Sequence, residues 1–361
     1  MAPSLTEVTI HQSTGISIDS PTLQRKPEAP KLPKIGPAYP FYLPYFDTAE
    51  KFPAWEDFEH TDPGLRADPA KPHLLAKDVQ RKDLCPYIGT ELKNVQLSQL
   101  SKEGLDEVAL FVAERKMVIF RDQDFKDIGP DRQIEIVRYF GPLHRHLTSA
   151  NVKGYPEFNI VYRDAEDDYL LRFLGGNSTS FTTWHSDISY ERQPPGTTLL
   201  FMLEPPAMGS DTIFASQVEA YNRLSPEFKK RLEGLKALHS SIFDAKKSAK
   251  MGRPVRREPI ETEHPVVRQH PVTGEKALFI NPIFTNRIVG FKAEESEYLL
   301  KFLFDHMTKG ADFQVRATYE PGTVVVWDNR VVLHSGTTDS LTSERRHAVR
   351  LASQAEAPIP A

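Results

Sequence analysis

The chain has 361 residues, and 45 lysines and arginines against 49 aspartates and glutamates give a net charge of −4. That balance argues against a dedicated nucleic-acid binder, the lack of an eighteen-residue apolar run excludes a membrane-spanning helix, and 39% hydrophobic residues exclude wholesale disorder. A single cysteine, Cys85, excludes an internal disulfide and any multi-cysteine zinc or iron–sulfur site.

Proline is concentrated at the front: residues 1–75 hold 12 of the 29, and the remaining 286 hold 17. Residues 1–38, polar and without apolar periodicity, are expected to be a disordered Pro-rich leader. The start, MAPSLTEVTIHQ, lacks the charged-then-apolar pattern of a signal peptide, so a cytoplasmic location is expected. Residues 39–75 read as an extended aromatic arm. Eight aromatic residues between Tyr39 and Phe58 are costly to leave in water, so the arm should pack on its own domain or join a homo-oligomer.

Residues 76–353 are expected to form the folded domain, with 354–361 as a tail. The spacing of Leu105, Val108, Ala109, Val112 and Ala113 predicts an amphipathic helix over 101–116. A short strand follows at 117–121, and Pro130 opens a second helix closed by Gly141-Pro142. Beyond these, β-branched and aromatic runs predict strands at 157–162, 183–190, 197–203, 212–215, 276–280, 313–319, 323–327 and 346–353. Helices are expected over 217–232 and 293–309. Many short strands with helices at the front and in long insertions predict a mainly β fold with flanking helices, a jelly-roll rather than a parallel sheet. The basic run Lys246, Lys247, Lys250, Arg253, Arg256 and Arg257 lacks interleaved aromatics and is expected to be a solvated insertion.

In Trp184-His185-Ser186-Asp187, strand alternation would put the His185 imidazole beside the Asp187 carboxylate. With a third histidine such a pair makes the facial set of non-haem Fe(II) oxygenases, which leaves coordination positions open. Composition alone yields about 0.7 His-x-Asp matches, so the motif needs context. A second match, His60-Thr61-Asp62, runs straight into the turn signal Pro63-Gly64 and is read as decoration. His334 ends an apolar run before Gly336; its local sequence suits either a third ligand or a satisfied rim histidine. Over 346–353 one face carries Arg346, Ala348, Arg350 and Ala352, and the other His347, Val349 and Leu351. Two arginines separated by small alanines suit an anion pocket better than a solvated face.

His185-x-Asp187, then Gly209-Ser210-Asp211-Thr212, then Trp327-Asp328-Asn329-Arg330 leading to His334, then Arg346 and Arg350, occur in that order. The combination resembles the taurine dioxygenase (TauD/TfdA) family of Fe(II)/2-oxoglutarate-dependent dioxygenases, and is most similar to its fungal sulfonate dioxygenase branch. The resemblance implies a double-stranded β-helix core with Fe(II) as cofactor and 2-oxoglutarate and O2 as cosubstrates. By position it implies His185, Asp187 and His334 as iron ligands, and Thr212 and Arg346 as the residues that hold 2-oxoglutarate. Arg350 and His146 match residues that bind the substrate sulfonate. Phe181 stands where the bacterial taurine enzyme has an asparagine touching substrate.

The implied reaction is hydroxylation of a small organic anion. An alkanesulfonate would release sulfite and an aldehyde, with succinate and CO2 from the cosubstrate. Phe181, and a His334–Arg346 loop one residue longer than in the bacterial enzyme, keep a second reading open. That reading is an oxygenase of fungal secondary metabolism acting on an amino-acid-like or other carboxylate substrate. A non-catalytic jelly-roll binding protein is a third, disfavoured by the complete ligand set. The loop over 163–182, with Gly175-Gly176-Asn177-Ser178, reads as either a lid or a passive surface loop.

Overall fold

The structure, a computed structural model, describes residues 36–164, 182–339 and 344–361. Phe181 and nearly all of the loop expected as a lid lie outside them. Ten strands build two sheets. The first five are β1 (Gln80–Asp83), β2 (Thr90–Lys93), β3 (Met117–Phe120), β4 (Asn159–Arg163) and β5 (Pro195–Glu204). The others are β6 (Thr212–Ser216), β7 (Gln314–Ala317), β8 (Val324–Asp328), β9 (Val332–Gly336) and β10 (Arg346–Gln354).

The seven-stranded sheet runs β1-β2-β3-β8-β5-β10-β4, with β2–β3 its one parallel pairing. The smaller sheet runs β7-β6-β9. Alternation along the strands decides what each face meets. Met117, Ile119, Leu200, Met202, Val325, Trp327 and Ala348 join Phe214, Val315, Ala317 and Val332 of the smaller sheet in one buried cluster. The residues in between, among them Val118, Phe120, Leu199, Phe201, Val326, Val349 and Leu351, point the other way. They pack on Val108, Phe111 and Val112 of helix Lys102–Arg115 and on Ile134, Ile136 and Val137 of helix Pro130–Arg138. Truncating Phe201 to alanine in such a layer costs about 3–5 kcal/mol.

The two front helices start where their sequence says. Ser101 Oγ accepts from Gly104 N at 3.2 Å to cap the first, and Pro130 stands in the first turn of the second. The outer face of the smaller sheet, with Ala215 and Leu333, is covered by Leu300, Leu303 and Met307 of helix Ala293–Lys309. The helix expected over 217–232 is two, Gln217–Asn222 and Pro226–Leu232. Ser225 caps the second by accepting from Phe228 N, and Pro226 has no N–H with which to continue the first. Several predicted strands recur with shifted ends, as Asn159–Arg163, Pro195–Glu204, Lys276–Leu278 and Gln314–Ala317. Among the described residues no helix is long and apolar enough to cross a membrane.

The aromatic arm packs within the chain. Tyr42 is buried in the helix-side cluster, its hydroxyl donates to Gln133 Oε1 at 3.0 Å, and its carbonyl accepts from His347 Nε2 at 2.8 Å. Farther along, the basic stretch departs from the solvated insertion expected of it. Lys246, Lys250 and Arg253 are exposed, but Arg256 is only 1% exposed. Its Nε donates to Glu50 Oε2 at 2.7 Å, and Nη1 donates to the Ser149 carbonyl at 2.7 Å. Phe52 N–H donates to the Arg256 carbonyl, and the Phe52 and Trp55 rings face Arg256 and Arg257 respectively. The missing aromatics and counter-charge come from the arm, 206 residues away in sequence for Glu50 and Arg256.

Asp62, in the second His-x-Asp, has a structural role. Its Oδ1 accepts from Gly64 N, and its Oδ2 pairs with Arg330 Nη1 at 2.7 Å. Residues expected as a tail are also tied down: Ile359–Pro360 pairs with the strand Val267–Gln269, and Glu356 bonds Arg268 at 2.7 Å.

Candidate active site

His185 and His334 face each other across an antiparallel bridge. His185 N–H donates to the His334 carbonyl at 3.0 Å, and His334 N–H donates back to the His185 carbonyl at 2.9 Å. A mutually bonded pair carries its side chains side by side. The ring centroids are 4.2 Å apart. Asp187 arrives differently from the strand alternation expected over 183–190. The chain leaves the sheet after the bridge and turns, with Ile188 at φ +55°. The cause is Asn329, just past the end of β8. Asp187 N–H donates to Asn329 Oδ1 at 2.6 Å, and Asn329 Nδ2 donates to the Asp187 carbonyl at 2.9 Å. With its backbone groups taken by that amide, Asp187 swings its carboxylate toward both rings. Asp187 Oδ1 lies 3.3 Å from His185 Nε2 and 3.7 Å from His334 Nε2, and the three donor atoms fall within 4.8 Å of one another.

The protonation states suit a cation. His185 Nδ1 bonds the Thr183 carbonyl, which sets the ring's proton there and leaves the Nε2 lone pair facing Asp187. His334 lies between the rings of Phe214, stacked at 5.8 Å, and Trp327, at 5.1 Å. Burial, then the neighbouring His185 ring, hold its pKa down to about 3, so it is neutral. Burial pushes the Asp187 carboxyl up, but the charge of Arg350 leads the groups that outweigh it and keep it ionised far below the usual carboxylate range. Asp187 Oδ2 and His334 Nδ1 are buried with no hydrogen-bond partner among the described residues. Two imidazoles and one carboxylate with their donor atoms this close fit a divalent cation such as Fe(II).

On β10, Arg346, Ala348 and Arg350 share the inner face, as the alternation predicted. With Thr212, His185, His334, Phe214, Trp327 and Tyr319 the two arginines line a cavity of about 260 Å³. Arg350 Nη1 bonds Asp187 Oδ1, and Arg346 Nε donates to the Ser210 carbonyl at 3.0 Å. Thr212 Oγ1 lies 2.7 Å from the Tyr319 hydroxyl.

His146 does not line this cavity, although its ring is close enough to Arg350 and Asp187 to feel both charges. Burial first, then Arg350, push its pKa well down. Its Nδ1 accepts from Thr148 N at 3.2 Å and Ser149 N at 3.1 Å, so the neutral ring carries its proton on Nε2 as a donor. The loop that holds it is clamped by residues to which the sequence analysis gave no part in the site. Glu191 Oε1 accepts from Arg257 Nη2 at 2.6 Å and bonds His144 Nε2 at 3.0 Å, all three side chains being buried. Nothing local marks that trio in the sequence, since its members are 47 and 66 residues apart.

Residues 80–352 match the family described as taurine catabolism dioxygenase TauD, TfdA family. The chain belongs to the TauD/TfdA family. It is 50% identical over 329 residues to an alpha-ketoglutarate-dependent dioxygenase of Penicillium expansum, covering 90% of this chain and 91% of that one. It is 42% identical over 325 residues to an alpha-ketoglutarate-dependent sulfonate dioxygenase of Saccharomyces cerevisiae, covering 89% and 79%. A solved taurine dioxygenase from Burkholderia xenovorans matches with a TM-score of 0.63 at 28% identity, over 78% of this chain and 93% of that chain. This TauD/TfdA member is a 2-oxoglutarate-dependent dioxygenase that uses Fe(II) and O2, as its motifs led us to expect. The reading as a non-catalytic binding protein falls away.

Proposed function

We propose that this TauD/TfdA member hydroxylates a small organic anion, with an alkanesulfonate as first choice, on Fe(II) held by His185, Asp187 and His334. The two facing sheets support a double-stranded β-helix core, with His334 in the middle of β9. Held there, Fe(II) with 2-oxoglutarate would supply O2 activation, with succinate and CO2 as coproducts and one oxygen atom going to a substrate C–H bond.

The protein's own work is placement. Arg346 and Thr212 hold the distal carboxylate of 2-oxoglutarate. Arg350 holds the anionic end of the substrate. Leu200, Phe214 and Trp327 line the cavity with apolar surface that excludes water from the reacting atoms. The observation that carries this reading is the spacing on β10. Arg346 and Arg350 are four residues apart on one face, roughly 13 Å along the strand, so each can anchor its own anion, Arg350 beside Asp187 of the triad. The yeast relative's name supplies the sulfonate.

Succinate and sulfite measured together across taurine, isethionate, pentane-1-sulfonate, amino acids and aryloxy acids test the proposal. Sulfite rising in step with succinate for a sulfonate is the expected result. The second reading, a fungal secondary-metabolism oxygenase acting on a carboxylate substrate, draws on the Penicillium relative, more identical than the yeast one and named without a substrate. It predicts succinate without sulfite, and then only with the carboxylates. We also take the protein to be cytoplasmic and the arm to serve its own domain rather than a second subunit. Tyr42, Glu50, Phe52 and Trp55 find their contacts within the chain.

A further inference from the structure

We propose that Tyr319 is a positioning residue for the cosubstrate, its hydroxyl orienting that of Thr212 and its ring seating the Arg346 guanidinium. This rests on the reading that Thr212 and Arg346 hold 2-oxoglutarate, and it adds a residue that neither the motifs nor the comparisons point to.

The placement follows from register. Ala317, the last residue of β7, is opposite Thr212, the first of β6, and Tyr319 follows two residues later. Its segment is fixed from outside by Arg121, whose Nη1 donates to the Thr318 carbonyl at 2.9 Å and to Thr323 Oγ1 at 3.0 Å. The Arg121 Nε donates to Glu91 Oε2 at 2.8 Å. Tyr319 is thereby buried between the sheets, with its hydroxyl 2.7 Å from Thr212 Oγ1 and its ring centroid 5.6 Å from the Arg346 guanidinium carbon.

Proton counting gives the hydroxyl its direction. A threonine hydroxyl has one proton, and a carboxylate only accepts. If Thr212 gave its proton to Tyr319, it would turn a lone pair toward the incoming carboxylate and repel it. The productive arrangement is Tyr319 O–H to Thr212 Oγ1 and Thr212 O–H to the ligand, two donors in series that polarise each other. Burial pushes the Tyr319 phenol up, so it keeps the proton it must donate. The ring acts on the second anchor. Arg346 Nε is committed to the Ser210 carbonyl, and among the described residues none accepts from Nη1 or Nη2. The ring face beneath the guanidinium attracts it without consuming a donor, so both Nη groups stay available for a carboxylate.

Calorimetric titration of 2-oxoglutarate into the Fe(II)-loaded protein under argon tests this with a double-mutant cycle. Tyr319→Phe keeps the ring and removes the hydroxyl, so Kd should rise about five- to tenfold, the worth of one hydrogen bond to a charged acceptor chain. The same substitution should change nothing further in a Thr212→Val background and should keep its effect in Thr212→Ser. In turnover, Tyr319→Phe should raise KM for 2-oxoglutarate with little change in kcat, and an unchanged Tm excludes a folding effect. A Kd within twofold of the parent, or losses from Thr212→Val and Tyr319→Phe that simply multiply, overturns the proposal while leaving the Thr212 assignment intact. An unchanged Kd in Thr212→Val alone would instead remove the assignment on which it rests.

Discussion

The His185 and His334 rings lie 4.2 Å apart because the two residues exchange both backbone hydrogen bonds, 2.9 and 3.0 Å long. The pair is rigid by backbone geometry rather than by side-chain packing alone. Asp187 has no such bridge; the Asn329 side-chain amide holds its backbone, and Arg350 bonds its carboxylate.

That dependence makes Asn329 a second support of the metal site. Asn329→Ala removes the acceptor of Asp187 N–H and the donor to its carbonyl, both buried. We predict a 10–100-fold loss of Fe(II) affinity, the usual effect of removing a group that orients a ligand. Calorimetry with Fe(II) under argon reads it directly.

The arm's stability contribution runs through Arg256. Replacing it with alanine leaves Glu50, 27% exposed, without its partner and strips the donor from the Ser149 carbonyl. A loss of about 3 kcal/mol is expected, toward the lower end for breaking a buried ion pair because Glu50 keeps some water and the Asn151 amide. Urea unfolding measures it. A loss below about 0.5 kcal/mol would mean the arm adds nothing to the fold.

Acid should destabilise the protein through its buried histidines. Burial lowers the His264 pKa to about 4 in the fold, against about 6.5 when unfolded. Below pH 6.5 the unfolded chain binds a proton that the folded one refuses until pH 4. Stability is therefore full above pH 6.5 and falls as the pH drops toward 4. The difference between about 4 and about 6.5 corresponds to roughly 3 kcal/mol of stability. His144, His239 and His270 are also shifted down by burial and act in the same direction. Unfolding free energies at pH 8, 6 and 5 should fall in that order, and His264→Asn should flatten the slope.

The parts of this structure legible in the sequence are those that local rules decide. The faces of β10 separated correctly because each is buried against a different partner, and Ser101 and Pro130 marked their helix starts. The turn at Asp187 was hidden because its cause, Asn329, is 142 residues away. Arg256 looked like a surface cation for the same reason: its partner Glu50 is distant, and local sequence shows charge without the counter-charge. Tyr319 read only as the last residue of the strand expected over 313–319, and only the register of β6 against β7 shows what its hydroxyl meets.

The account stands on His185, Asp187 and His334 acting together as one metal site. Anaerobic titration of the protein with Fe(II) in the presence of 2-oxoglutarate tests that claim most directly. We predict one equivalent of Fe(II) bound with a visible charge-transfer band, and loss of both in Asp187→Ala with the fold intact by circular dichroism. Retention of stoichiometric iron and an unchanged band in Asp187→Ala would contradict it.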